Sequence, residues 1–143
     1  MMTQTINLLD ECNAGCKMAM NSMSQVMEYV RDENLANVID DYTIKHQKLE
    51  EETSKQLAEY GKEEKEPGMM ASAISWISTE AKLMMKDDSR QVAKIMMDGC
   101  NMGIQSVSEY MNKYEEASPE SINLAKKIIK TEEDFMGEMK QFL

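Results

Sequence analysis

Apolar residues recur along this chain at alternating steps of three and four positions, which is the spacing of one face of an α-helix. Short polar segments interrupt this pattern and divide the chain into five stretches. These five stretches predict helices at about residues 3–31, 34–61, 70–86, 89–114 and 119–142. No stretch of useful length alternates apolar and polar residues, as a half-buried β-strand would. The sequence therefore predicts an all-α protein.

Local signals mark where several of these helices begin and end. Asp32 or Asn34 is placed to cap the second helix, and Gly61 stands where a helix C-terminus favours glycine. Ser118 followed by Pro119 is a typical helix start. With only 2 Pro and 6 Gly in 143 residues, few other breaks are available, so the helices should be long.

The lengths of the connections predict the topology. Short links follow the first and third long helices, so each joins antiparallel neighbours. About 26 residues, roughly 62–87, separate the second long helix from the third. A helix of some 28 residues is about 42 Å long, and a 16-residue helical segment with extended ends can span that distance. This favours a ferritin-like four-helix bundle with a long crossover between helices 2 and 3. The alternative is a short extra helix that only caps one end.

Length, charge and cysteine content narrow the class of protein. A chain of 143 residues, 42% hydrophobic and 29% charged, suits one globular domain over residues 1–143. The net charge of −10 argues against nucleic acid as a partner. No apolar run approaches the roughly 20 residues of a membrane span, and no leader pattern is seen. Cys12, Cys16 and Cys100 form no C-x-x-C pair, which favours buried thiols in a reducing, cytoplasmic setting.

Four polar residues interrupt the apolar faces near the middle of their helices: Asn13, His46, Thr53 and Glu132. Burying a carboxylate or an imidazole without a partner costs several kcal/mol. We therefore expect His46 and Glu132 to be paired with each other, with Asn13 or Tyr42, with water, or with a metal.

A metal site in the bundle core is one interpretation of these residues. Di-metal bundles use a Glu from each of two helices and Glu-x-x-His from the other two. Here the second helix offers Thr43-x-x-His46 and the last offers Glu132-x-x-Phe135, so at most two of six ligand positions remain. If iron or zinc is bound, the expected ligands are His46 and Glu132, with Glu50 as a third. The alternative is a hydrogen-bonded pair without metal.

The 16 methionines suggest a second metal hypothesis. Thiolate and thioether ligands select Cu(I), and the first helix carries a series of such residues: Cys12, Cys16, Met18, Met20, Met23 and Met27. Other helices would add Met96, Met102, Met136 and Met139. The alternative is that methionine only fills the core, as it often does at helical spacing.

Other enzyme classes find little support. His46 is the sole histidine, and no glycine-rich phosphate-binding pattern is present. Gly99-x-x-x-Gly103 indicates close helix approach or room at the bundle centre. The sequence therefore favours a protein without catalytic activity. An apolar crossover, with Trp76, Ile77 and Met84, could cover the bundle or dock a second copy as a homodimer.

Four segments carry a resemblance that spans nearly the whole chain: 8–15, 35–42, 71–76, and Met97-Asp98-Gly99 leading to Val107. They are helix-packing patterns, and on them the chain resembles ferritin-like four-helix bundles, in particular the uncharacterised bacterial DUF2383 family. The resemblance implies a ferritin-like fold and no established activity. Met20 and Cys100 stand where many of these relatives carry acidic residues near mid-helix, which implies a degenerate or absent di-metal site.

Overall fold

A computed structural model of the protein describes residues 2–62 and 76–143. Its elements, in chain order, are α1 (Met2–Met27), α2 (Glu33–Glu59), α3 (Thr79–Met85), α4 (Ser89–Lys113), α5 (Pro119–Met139) and a 3₁₀ turn (Lys140–Phe142). Every regular element in these two ranges is helical, so the prediction of an all-α protein is confirmed.

The predicted caps account for most of the helix boundaries. Asp32 accepts a hydrogen bond from the Leu35 amide at 3.0 Å and begins α2. Gly61 ends α2 with a φ of +70°, a conformation that costs glycine little. Ser118 accepts from the Ser121 amide at 3.2 Å and begins α5, with Pro119 in its first turn.

The two predicted boundaries that differ most from the structure are the end of the first helix and the start of the short helix. The first helix ends at Met27 rather than near residue 31, because the following residues form a tight turn in which the Tyr29 amide donates to the Val26 carbonyl. The short helix begins at Thr79 rather than near residue 70, since Ser78 caps it and Trp76 to Ser78 are not helical. The rest of that predicted segment, 70–75, and most of the matched segment 71–76 lie outside the described residues.

The direction of the helices follows from two contacts. Arg31, just before α2, forms an ion pair of 3.6 Å with Asp87, just before α4, so α2 and α4 begin at the same end. At the opposite end, the Ser118 amide donates to Thr5 Oγ1 at 2.8 Å, which places the start of α5 beside the start of α1. Therefore α2 and α4 run in the same direction.

The four long helices pack side by side around a shared interior, with α1 against α2 and α4, and α5 against α2 and α4. Two apolar clusters fill this interior. The upper cluster includes Met23, Ile39, Phe135 and Met139, and the lower cluster includes Leu8, Leu9, Leu49, Leu57 and Leu124. Glu132 lies on α5 between Ile128 of the lower cluster and Phe135 of the upper one, so a polar layer separates the two.

The segment around α3 partly covers the upper cluster. Ile77 and Met85 are buried in that cluster, and Trp76 packs against it, whereas Leu83 and Met84 on α3 are exposed. Within the ranges that the structure describes, no helix combines the length and the apolar character needed to cross a membrane.

Candidate functional site

The four polar residues singled out in the sequence are all at most 5% exposed, and they form two pairs. Asn13 Nδ2 donates to Thr53 Oγ1 at 2.9 Å, which joins α1 to α2. His46 Nε2 is hydrogen-bonded to Glu132 Oε1, which joins α2 to α5. Of the partners that the sequence left open for His46 and Glu132, the structure shows that the two residues bond to each other.

The proton positions of the His46–Glu132 pair follow from its neighbours. His46 Nδ1 lies 2.6 Å from the Tyr42 carbonyl oxygen, which can only accept, so Nδ1 carries a proton. The bond between Nε2 and the carboxylate needs a further proton between them. Burial lowers the pKa of His46, but the hydrogen bond and charge of Glu132, with the Tyr42 carbonyl, outweigh it and raise the pKa above 6.5.

The surroundings of the pair hold both side chains in place. The Phe135 ring stacks on Tyr42 with centroids 4.7 Å apart and meets the His46 ring edge-on at 6.4 Å. The Cys100 thiol from α4 lies beside Glu132, whose charge adds to burial in raising the pKa of this thiol. A Cβ at Gly103 would lie 3.0 Å from Glu132 Oε2. Glycine at this position therefore leaves room for the carboxylate between α4 and α5.

A cavity of about 190 Å³ lies between α1 and α4, and His46 and Glu132 form part of its wall. The cavity reaches the surface beside Gly15, Met102 and Ser106, which line it and are themselves exposed. Because Glu11 and Met23 of α1 both line it, it extends for about 18 Å along the helix axis, at 1.5 Å per residue. It is therefore an elongated cavity with the His46–Glu132 pair near mid-length.

Trp76 forms part of the upper wall of this cavity. Its indole N–H donates to Ser22 Oγ on α1 at 2.7 Å, and its ring lies against α4. A Cβ at Gly99 would approach Trp76 Cζ2 to 2.9 Å, so the ring occupies the space that glycine leaves. Of the two explanations for Gly99-x-x-x-Gly103, the structure supports room in the interior, filled at one end by Trp76 and at the other by Glu132.

All three cysteines line the same cavity, and all are free and buried. Burial, with the nearby charge of Glu11, raises the pKa of the Cys12 thiol to about 12. Burial is also the main cause that raises the pKa of Cys16 and of Cys100. The three side chains are therefore neutral thiols at physiological pH, which makes them poor nucleophiles. The prediction of buried cysteines is confirmed, but their shared cavity was not predicted.

The methionines of the copper hypothesis lie in the cavity wall or in the upper apolar cluster, and Met23 and Met96 belong to both. Met18, Met23, Met96 and Met102 line the cavity. Met20, Met27 and Met136 pack against the upper apolar cluster, in which Met139 is fully buried. Half of the predicted set therefore faces the cavity, together with the three thiols.

The third predicted iron or zinc ligand, Glu50, is directed toward α1. Its Oε1 accepts from Ser54 Oγ at 3.0 Å and lies 3.7 Å from Lys17 Nζ. The structure thus brings together His46 and Glu132 and gives Glu50 other partners. Across residues 2–62 and 76–143, no group of three or more His, Cys, Asp or Glu side chains is arranged to hold a metal ion.

Comparisons with known proteins identify a shared fold. The chain matches a solved structure described as a DUF305 fragment from Deinococcus radiodurans, with a TM-score of 0.69. The match covers 96% of this chain and 93% of that one, at 14% sequence identity. At this identity the similarity shows the helical fold alone. No protein-family model and no curated protein matches the chain.

Proposed function

We propose that this chain is a non-catalytic bundle of the ferritin-like type that binds a compact, largely apolar ligand in the cavity between α1 and α4. The observation that carries the proposal is the cavity itself, about 190 Å³ and open at one side. The parallel direction of α2 and α4 and the sequence resemblance to the DUF2383 family support the ferritin-like type. The expected absence of a complete di-metal centre is part of this proposal, and the acid–imidazole pair of the described interior supports it.

The size and lining of the cavity suit such a ligand. An engineered apolar cavity of about 150 Å³ in another protein binds benzene, so this volume admits a molecule somewhat larger. Methionine side chains adapt to irregular shapes, which is useful where a ligand must be enclosed. Displacing water from apolar surface contributes roughly 25 cal/mol per Å², which supplies the affinity.

The same geometry argues against catalysis. Both nitrogens of His46 are occupied, one by a backbone carbonyl and the other by Glu132, so the imidazole has no free position for a substrate. The cavity thiols keep their protons, because burial raises their pKa values. A nucleophile with an adjacent free base, which covalent catalysis requires, is missing from the described wall.

Ligand binding can be tested with Trp76, the only tryptophan, as a fluorescent reporter in the cavity wall. We expect 1-hexanol to shift its emission saturably. Gly15→Leu should weaken binding about tenfold or more, because it places a side chain at the cavity mouth. Gly137→Leu is the matched control, since both glycines are helical and a Cβ at either meets nothing within 4 Å.

The controls make the outcome decisive. Gly137 does not line the cavity, so its leucine variant should bind 1-hexanol as the parent protein does. Equal weakening by both substitutions would show that binding occurs elsewhere. If neither 1-hexanol nor toluene changes the emission or the melting temperature, the proposed function is wrong.

The metal-binding hypotheses stay predictions, and elemental analysis of protein purified without chelator tests them. Our proposal expects no stoichiometric metal, since neutral thiols and a paired histidine must lose protons or partners before they bind a metal. Stoichiometric iron or zinc that is lost in both His46→Ala and Glu132→Gln would contradict it. Stoichiometric Cu(I) lost in Cys16→Ser would instead support the sulfur ligands of the cavity.

Three predictions about cellular context also stand untested by the structure. The acidity of the chain still argues against nucleic acid as a partner, and its free cysteines favour a reducing, cytoplasmic setting. The exposed Leu83 and Met84 on α3 are the described part of the surface through which two copies would pair.

A further inference from the structure

The charged groups in the cavity wall indicate which polar group its ligand carries, an inference that rests on the proposed function. The described lining contains two carboxylates, Glu11 and Glu132, and neither lysine nor arginine. His46 is the only basic side chain in this lining, and Glu132 already occupies it. An anion in this cavity would face the Glu132 carboxylate, and the described lining offers no free cation with which the anion could pair.

Glu132 can accept a further hydrogen bond. An ionised carboxylate has about four lone-pair positions, and the hydrogen bond with His46 uses one of them. Because residue 103 is glycine, no methyl group stands between α4 and Oε2 of Glu132. The carboxylate therefore borders the cavity as an acceptor rather than lying behind a side chain.

Aromatic and sulfur-containing side chains line much of the rest of the cavity. Trp76, Tyr110 and Phe135 line the cavity, and Glu11 lies near Tyr110 toward the lower end. A cation is attracted to the face of an aromatic ring, most strongly when the cation is desolvated. Thioether and small side chains along the remaining length suit an alkyl or aryl tail.

We propose that the ligand is a hydrophobic primary amine, bound as its ammonium ion. The ammonium donates to Glu132 at mid-length, and the tail extends along the methionine-lined part of the cavity. Charge-assisted hydrogen bonds are roughly twice as strong as neutral ones, so the ammonium gives both orientation and selectivity. The same site disfavours a carboxylate of equal length.

The test compares three six-carbon probes at pH 7: hexylamine, 1-hexanol and hexanoate. Affinities are measured by calorimetry and by Trp76 fluorescence. We expect hexylamine to bind about tenfold more tightly than 1-hexanol, and hexanoate to bind at least tenfold more weakly than the alcohol. In Glu132→Gln, the affinity for hexylamine should fall to within about threefold of the affinity for 1-hexanol, and the affinity for 1-hexanol should change little. Glu133→Gln is the matched control, because Glu133 is exposed and does not line the cavity.

The outcomes separate this inference from the proposed function. If 1-hexanol binds and hexylamine binds no more tightly, or hexanoate binds most tightly, the amine inference is overturned and the proposed function stands. If none of the three binds, the proposed function itself fails. The order of affinities in the unmodified protein is decisive even if Glu132→Gln does not fold. In addition, Gly103→Ala places a methyl group against Oε2 of Glu132, so it should weaken the binding of hexylamine more than the binding of 1-hexanol.

Discussion

His46→Leu is expected to destabilise the fold by about 3–5 kcal/mol, because it leaves the Glu132 carboxylate buried without its cationic partner. Glu132→Leu should cost less, about 1–3 kcal/mol, since His46 can become neutral and still donate from Nδ1 to the Tyr42 carbonyl. The measurement is urea denaturation followed by circular dichroism. The specific expectation is that His46→Leu lowers the free energy of unfolding more than Glu132→Leu does.

The double variant His46→Leu/Glu132→Leu provides the control for this prediction. Well-packed apolar residues often replace a buried ion pair without loss, so the double variant should be within about 1 kcal/mol of the parent protein or more stable. Glu133→Leu, at the exposed neighbouring position, should change stability by less than about 0.5 kcal/mol. If His46→Leu is tolerated as well as Glu133→Leu, the pair does not have the electrostatic role assigned to it.

The paired residues show how far the sequence could predict the interior. A polar residue on an otherwise apolar helical face has to find a partner when it is buried, so Asn13, His46, Thr53 and Glu132 could be selected from their positions alone. Which of them pair depends on the register between helices, and the sequence left that open. Glu50 illustrates the same limit, because it lies one turn from His46 yet bonds toward Ser54 and Lys17.

The cavity depends on information that periodicity does not contain. Helical spacing places Cys16 and Cys100 on inward faces, but it does not give the separation of α1 and α4. Nor could it show that Trp76, which lies outside every helix, would pack against Gly99. Two glycines four residues apart on α4 were a usable signal, since room in the interior was one of their two explanations. The distinction between the two required the neighbouring side chains.

The direction in which His46 titrates provides the most direct test of this interior. It is the only histidine, so its imidazole signals in nitrogen-resolved NMR spectra need no assignment among several. In the parent protein its pKa should lie above 6.5, because the hydrogen bond and charge of Glu132 outweigh burial. In Glu132→Gln that charge is removed while burial stays, so the pKa should fall below 6.5. Glu133→Gln should leave it nearly unchanged.

The Glu132→Gln substitution should also reverse the pH dependence of the free energy of unfolding. Where the folded-state pKa lies above the unfolded value, protonated His46 contributes stability that is fully present below pH 6.5 and is lost as the pH rises through the folded-state pKa. In Glu132→Gln the folded state resists protonation, so stability should instead fall as the pH drops below 6.5. Among the described residues, the thiols of Cys16 on α1 and Cys100 on α4 also face this layer, and their raised pKa values keep them neutral in this range. Parallel stability profiles for the two proteins would therefore contradict a shared proton between His46 and Glu132.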